Sequence, residues 1–384
     1  MSTGIPLAWL QLTREKRRFF AALAGIAFAV VLMLAQLGFQ DALLSSVGLL
    51  HTNLVGDLVL VSPQYQNAIQ PGSFTERRLY QALGSSAVES VHSVYLGVGP
   101  FKNPFDRTQR AIFVTAFDPT SAVLNRPGIA ENLNKIREPG TVLFDTIRRP
   151  EFGLVAEAFN EKGPVITEVA GRRIDIVGLF QLGTSFGADG NLVMSDETFL
   201  RLFPHRQRGI IDAGLINLKP GADAERAKAE IAWILPPDVR VLTHDEFVDL
   251  ERTYWTTNTP IGFIFQLGVL VGVFVGCIIV YQILYSDVTD HLPEYATLKA
   301  MGYPDSFLLK LVLQEAVILS VFGFIPGLFI SHFVYVVSRN ATLLPLQLTF
   351  ERAALVYVLT VVMCAISGAL AARRLKAADP AEIF

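Results

Sequence analysis

The sequence predicts an α-helical membrane protein with four transmembrane helices plus a large mixed α/β extracytoplasmic domain inserted between helices 1 and 2. Three observations carry this. Four apolar runs each reach the ~20 residues a helix needs to cross a bilayer. Of 384 residues, 51% are hydrophobic and only 17% are charged, which is not the balance of a soluble globular chain. Between the first and second runs lies a long stretch, residues 41–258, that reads as short strands, turns and helices.

The first run, Phe19 to Phe39, is uncharged and follows Arg14, Lys16, Arg17 and Arg18. Arg17-Arg18-Phe19-Phe20 hints at a twin-arginine signal. The run is too long for a signal-peptide core, and no small-residue cleavage site closes it, so it reads as an uncleaved anchor. Residues 1–18 form the N-terminal segment and 19–40 the first span. The second span, 260–285, is uncharged. The third, 307–337, is interrupted by Lys310, Gln314, Glu315 and Pro326. The fourth, 353–372, runs straight into Arg373, Arg374 and Lys376. An even number of spans places both basic ends on one side, and positive charge marks that side as cytoplasmic. The loop 286–306 and the tail 373–384 share it, while 41–258 and the short loop 338–352 lie on the far side.

Small residues recur every fourth position: Ala21, Gly25 and Ala29 in the first span, Gly268, Gly272 and Gly276 in the second, Ala365 and Ala369 in the fourth. Lipid gives helices no hydrophobic reason to associate, so close backbone approach through small residues takes that role. These faces are expected to pack within or between subunits. Glu315 falls about 12 Å into the third span at ~1.5 Å per residue, where an ionised carboxylate is costly. It is either a contact for a proton or substrate or a carboxylate facing other helices or water near the interface.

The inserted stretch reads as mixed α/β. Strands are expected at 57–62, 88–98, 111–117, 141–145, 191–195, 215–218 and 239–242, with a hairpin across Gly171 within 165–180. Helices are expected at 75–83, after Ser195 or Asp196, at 223–234, and from Thr243 or Asp245 through Thr253. The last of these leads toward the second span and is placed to transmit motion.

Chemistry is sparse. The six histidines show no metal-binding spacing, and His244-Asp245-Glu246 reads as a helix start. No GxSxG elbow occurs. Gly183 to Gly190 is Gly-rich but lacks the Gly-Lys-Ser/Thr ending of a phosphate loop, so it reads as a mobile loop. The two cysteines, Cys277 and Cys364, fall inside apolar runs, which excludes a disulfide framework or a paired zinc site. A net charge of −3 gives no nucleic-acid footprint. No nucleotide site and no cofactor are expected in this chain.

One polar island stands between the second and third spans. Pro293 suits a first helical turn, Glu294 and Lys299 sit at the ends that favour their charges, and Gly302 and Pro304 stop the helix. Leu292, Tyr295, Leu298 and Met301 repeat every three residues, so one face is apolar. It is either a membrane-surface helix or a peg for a socket on another protein.

The order of elements, together with Pro293-Glu294-Tyr295-Ala296-Thr297-Leu298-Lys299-Ala300-Met301-Gly302, resembles the ABC transporter permease family of MacB, FtsX and the lipoprotein-releasing permeases. Glu315 matches an acidic position early in that family's third span. The tail, with Arg373, Arg374, Asp379, Pro380 and Glu382, is similar to the family's closing pattern. With the stretch Leu7 to Leu12 and no fused ATPase, the chain looks most like the cyanobacterial DevC permeases. The resemblance implies a non-enzymatic inner-membrane subunit, homodimeric, with both termini cytoplasmic and a periplasmic domain. ATP and Mg would sit on a separate ABC ATPase, with a periplasmic membrane fusion protein and an outer-membrane TolC-like channel as further partners. Coupling would be mechanical (mechanotransmission), and Glu294, Tyr295, Leu298, Lys299, Met301 and Gly302 would form the ATPase-facing helix. It would export a lipid-like or amphiphilic substrate. An FtsX-like signal transducer or a lipoprotein-releasing permease is the alternative.

Overall fold

A computed structural model of the chain describes residues 9, 12, 14, 16–121 and 123–373. Of the Leu7 to Leu12 stretch only Trp9 and Leu12 are described, and the tail motif from Arg374 onward lies outside the described residues. The chain divides into a helical body, residues 1–42, 261–341 and 346–384, and a second body of residues 43–260 with 342–345.

Helix α1, Lys16–Val47, is 32 residues long, about 48 Å at ~1.5 Å per residue. It outruns the expected end at residue 40 because Ala42, Leu43 and Leu44 continue the helix until Gly48. After α1 the chain enters the second body through α2, Leu49–Asn53.

The second body is built on a nine-stranded sheet. Its strands in chain order are β1 Leu58–Val61, β3 Val88–Lys102, β4 Gln109–Phe117, β5 Thr141–Asp145, β6 Val165–Val169, β7 Arg172–Phe180, β8 Asn191–Ser195, β10 Ala213–Leu218 and β11 Arg240–Thr243. A separate two-stranded piece pairs β2, Phe74–Thr75, with β9, Ile210–Ile211. The main sheet runs β11-β1-β10-β3-β4-β8-β5-β7-β6, and the far end of β3 also pairs with β6 through Phe101↔Val169 and Lys102↔Glu168. Six strands therefore close on themselves.

Both faces of this sheet are buried. Leu58 and Leu60 enter one apolar core while Val59 and Val61 enter another; Val142 and Phe144 divide from Leu143 in the same way. Successive side chains point to opposite faces, so a strand that is apolar at every position needs cover on both. Helices α3 Arg77–Gln81, α4 Val155–Lys162, α5 Asp196–Leu202, α6 Ala224–Ile234 and α7 His244–Thr253, with 3₁₀ turns, supply much of it. Ser195 caps α5 by accepting from Thr198 N, and Asp223 caps α6 by accepting from Glu225 N and Arg226 N. Thr243 and Glu246 form a reciprocal capping box on α7. The hairpin between β6 and β7 turns on Ala170 and Gly171, both at positive φ, as a tight two-residue turn requires.

The expected helix at 75–83 is shorter, ending in a 3₁₀ turn at Gly84. The Gly183 to Gly190 loop, expected to be mobile, is tied down. The Asp145 carboxylate accepts from Leu182 N and Gly183 N, and Asp189 receives both Arg110 and Arg149.

The helical body consists of α1, α8 Pro260–Asp290, the short α9 Leu292–Ala300, α10 Asp305–Thr342 and α11 Phe350–Ala371. Its four long helices are each long and apolar enough to cross a membrane. The small residues are used inside this body. A Cβ added to Gly276 would strike Met363 Sδ and Ala29 Cβ, one on Gly272 would meet Met33 Cγ at 3.2 Å, and one on Gly268 would strike Gln36. Gly25 lies against Ile279. A second pair, Gly323 and Gly327 on α10, receives Ile26 and Val30 of α1. Tyr335 donates to the Leu34 carbonyl, and Arg352 Nη2 donates to Asp41 Oδ2 at 2.6 Å.

Candidate coupling helix and buried clamp

Helix α9 begins just after His291 and carries Pro293 in its first turn. It ends at Gly302, whose φ of +92° lets its N–H reach the Lys299 carbonyl at 2.9 Å while Tyr303 N reaches Leu298 O at 3.1 Å. These are the bonds of a Schellman stop.

The buried side of α9 is set by Tyr295, 1% exposed, and Ala296. Tyr295 packs in a cluster with Val288, Leu308, Leu311, Val312 and Ala372. The three-residue apolar spacing therefore splits between two environments. Tyr295 anchors the helix instead of standing on its outer edge; Leu298 is half-buried against the same cluster, as is Lys299 by exposure, while Met301 is 63% exposed. The outer edge consists of Pro293, Glu294, Thr297, Ala300, Met301, Gly302 and Tyr303. Thr297 and Tyr303 were not among the residues singled out by sequence, and Tyr303 is braced by a ring contact with Phe307 at 4.8 Å.

Glu294 does not stand alone. Its Oε2 lies 3.2 Å from His291 Nδ1 and its Oε1 is 3.4 Å from Arg14 Nη1. Arg18 pairs with Asp290 nearby in sequence. Such solvated pairs are each worth about 0–1 kcal/mol, so a partner's charge can replace them. Deeper in the helical body, Glu315 is 0% exposed, and neither of its oxygens has a hydrogen-bond partner among the described residues. It faces other helices and not water; Lys310 is exposed.

The second site lies within the sheet-containing body, where α2 and α7 meet. His51 Nε2 is 2.8 Å from Tyr65 Oη and 3.2 Å from Glu251 Oε2. Glu251 also accepts from Ala68 N at 2.9 Å and from Trp255 Nε1 at 2.9 Å. His51 and Glu251 are 0% and 3% exposed. The Phe247 ring covers His51 and Tyr65, with centroids 4.5 and 5.4 Å away. Burial, and then the Glu251 charge, push the Tyr65 phenol well above its ordinary range, so it remains a hydrogen-bond donor to the carboxylate. Beside this cluster is a cavity of about 40 Å³ lined in part by Leu50, Ile69, Phe113, Glu251 and Trp255.

The position of this cluster in the chain gives it interest. α2 follows α1 directly, and α7 leads through a π-helical turn, Tyr254–Asn258, to α8. The segments by which the chain enters and leaves this body are thus joined to each other by a buried ionic hydrogen-bond cluster. The 342–345 segment is held there too, with Thr184 Oγ1 donating to Leu343 O at 3.3 Å.

Among the described residues no group of three or more His, Cys, Asp or Glu is placed to hold a metal ion. Four apolar helices, a capped connecting helix and a large inserted α/β domain are the architecture of a multi-span membrane subunit. The chain belongs to the MacB/FtsX family: residues 19–232 match the MacB-like periplasmic core domain and residues 266–380 match the FtsX-like permease C-terminal domain. The family is one of ABC transporter permeases, and membership implies an ABC ATPase partner.

The solved structures to which the chain is similar share little sequence with it. The periplasmic region of MacB from Actinobacillus actinomycetemcomitans shares 8% identity, over 52% of this chain and 93% of that one, with a TM-score of 0.36. The extracellular domain of the noncanonic ABC-type transporter YknZ from Gram-positive bacteria shares 12% over 48% and 99%, with a TM-score of 0.34. A domain of a putative permease protein from Porphyromonas gingivalis shares 15% over 50% and 89%, with a TM-score of 0.30. No curated protein matches the chain in sequence.

Proposed function

We propose that this chain is the permease of an ATP-driven tripartite exporter that works by mechanotransmission. ATP and Mg are held by a separate ATPase, whose closure pushes on α9. The motion passes along the long helices to the inserted domain. That domain, on the periplasmic side of the inner membrane, drives a lipid-like or amphiphilic substrate into a membrane fusion protein and an outer-membrane TolC-like channel. Both termini are cytoplasmic, the subunit works as a homodimer, and it acts in the manner of the DevC-like permeases.

The observation that supports this reading most is the build of α9: Tyr295 is buried and fixes the helix, and the opposite edge, with Glu294 and Met301, is exposed. A helix anchored on one side can take a push on the other. The buried His51–Glu251 cluster supports the second half of the path, because a push delivered along one crossing helix is shared with the other.

The test is capture of the cognate ATPase by the full-length protein in detergent. Glu294→Lys with Lys299→Glu is expected to lower capture and ATPase stimulation about tenfold, consistent with loss of about 1.4 kcal/mol, while melting stays unchanged. Capture and stimulation at wild-type levels in that double variant would remove α9 from the ATPase contact.

A further inference from the structure

We infer that the groove between α8 and α11 binds an anionic phospholipid from the leaflet adjoining α9. The groove, open along one side, has a volume of about 690 Å³, within the ~300–1,000 Å³ span of small-molecule sites. One wall is a single face of α8 from Phe274 to Tyr285, the other Ser367 and Leu370 of α11 with Arg373 just past that helix's end. Ser367 Oγ donates to the Cys277 carbonyl at 2.9 Å, which joins the two walls at the groove's floor.

The length of the groove selects a lipid chain. From Phe274 to Tyr285 the rise is about 16 Å at ~1.5 Å per residue, close to half of a hydrocarbon core ~30 Å thick. The chemistry changes along that length. Phe274 and Ile278 lie at the inner end, and Tyr281, Tyr285 and Arg373 at the outer end. The two tyrosine rings meet at a tilt with centroids 5.6 Å apart, and Arg373 is exposed. An apolar channel one leaflet long that ends in a cation and phenols matches an acyl chain beneath an anionic headgroup.

A second copy of the chain suits the groove less well. Helices in lipid approach closely through small residues. Here Gly268, Gly272 and Gly276 are already taken up inside the subunit, and the groove face carries Phe274, Ile278 and Tyr281 instead.

The experiment is native mass spectrometry of the full-length protein in detergent with equal phosphatidylglycerol and phosphatidylcholine. The wild type is expected to retain phosphatidylglycerol preferentially, and Arg373→Glu to lower that preference about fivefold. Ile278→Trp, which fills the apolar end without touching the cation, is expected to remove one bound lipid per chain. Melting curves for both variants check folding. Equal retention of the two lipids by the wild type, or unchanged retention in both variants, would overturn the assignment. So would a dimer mass that Ile278→Trp abolishes without any change in bound lipid, since the groove would then belong to a second copy.

Discussion

The His51 imidazole and the Glu251 carboxylate meet at 3.2 Å with both side chains buried, and they tie α2 to α7. Glu251 is the hub, because it also satisfies Ala68 N and Trp255 Nε1. Glu251→Ala removes the acceptor for all of them, and each buried donor left unsatisfied costs about 1–3 kcal/mol. Glu251→Gln keeps the shape and is expected to cost about 1–3 kcal/mol. Denaturant titration followed by Trp255 fluorescence reports both, and equal melting of wild type and Glu251→Ala would show the cluster to be inert.

The interior glycines give a sharp contrast in the helical body. Gly276→Leu places a side chain against Met363 and Ala29, an overpacking that typically costs about 1–3 kcal/mol. Gly302→Ala meets no atom within 4 Å, but its φ of +92° makes the change cost about 1–2 kcal/mol of backbone strain. Thermal melting in detergent should rank Gly276→Leu below Gly302→Ala. Only Gly302→Ala is expected to leave the packing of α8 on α1 intact, as read by cysteine cross-linking between those helices.

Glu315 is a buried carboxylate whose oxygens find no hydrogen-bond partner among the described residues. A buried polar group left without a hydrogen-bond partner costs about 1–3 kcal/mol, a cost that an apolar side chain of similar volume does not carry. Glu315→Met is therefore expected to melt at a higher temperature than the wild type. A lower melting temperature would mean that the carboxyl group has a stabilising partner after all.

Asp145 supplies a pH test outside the spans. Burial raises its carboxyl above the ordinary value, against the pull of hydrogen bonds from Gly183 N, Asn191, Ile147 N and Leu182 N. A group that holds its proton more tightly when folded makes its contribution to stability in acid. That contribution is lost as pH rises from the ordinary carboxylate value through the raised one. Chemical denaturation across that window should show the decline in the wild type and a flatter profile in Asp145→Asn. An identical slope in both would assign the decline to another group.

The spans and most strands were legible because apolar runs and alternation are local signals. The end of β3 was not. Gly97, Gly99 and Pro100 read as the close of a strand at residue 98, yet pairing continues to Lys102. The glycines are there because the Phe199 and Phe203 rings press on the strand, within 3.0 and 3.2 Å of where their Cβ atoms would lie. Pro100 has no N–H to give the ladder, and its carbonyl accepts from Ala170 N. Distance in sequence concealed the clamp: Tyr65 and Glu251 are 186 residues apart, and no spacing rule connects them. On α9 the three-residue repeat revealed an apolar face but not that Tyr295 and Met301 would part, one inward and one outward. Gly323 and Gly327 share the four-residue spacing of the second-span glycines, but only the packing of Ile26 and Val30 against them shows what that spacing serves.

The additional pairing of β3 with β6 has a consequence for how the sheet can meet other chains. Because that seam returns the sheet onto itself, β11, only four residues long, is the principal open margin. An unpaired margin is a template for adding strands from a neighbour, and a short one offers few rungs. Any extension of this sheet by another polypeptide would therefore be directed to the Arg240–Thr243 side, the strand that runs straight into the capping box of α7.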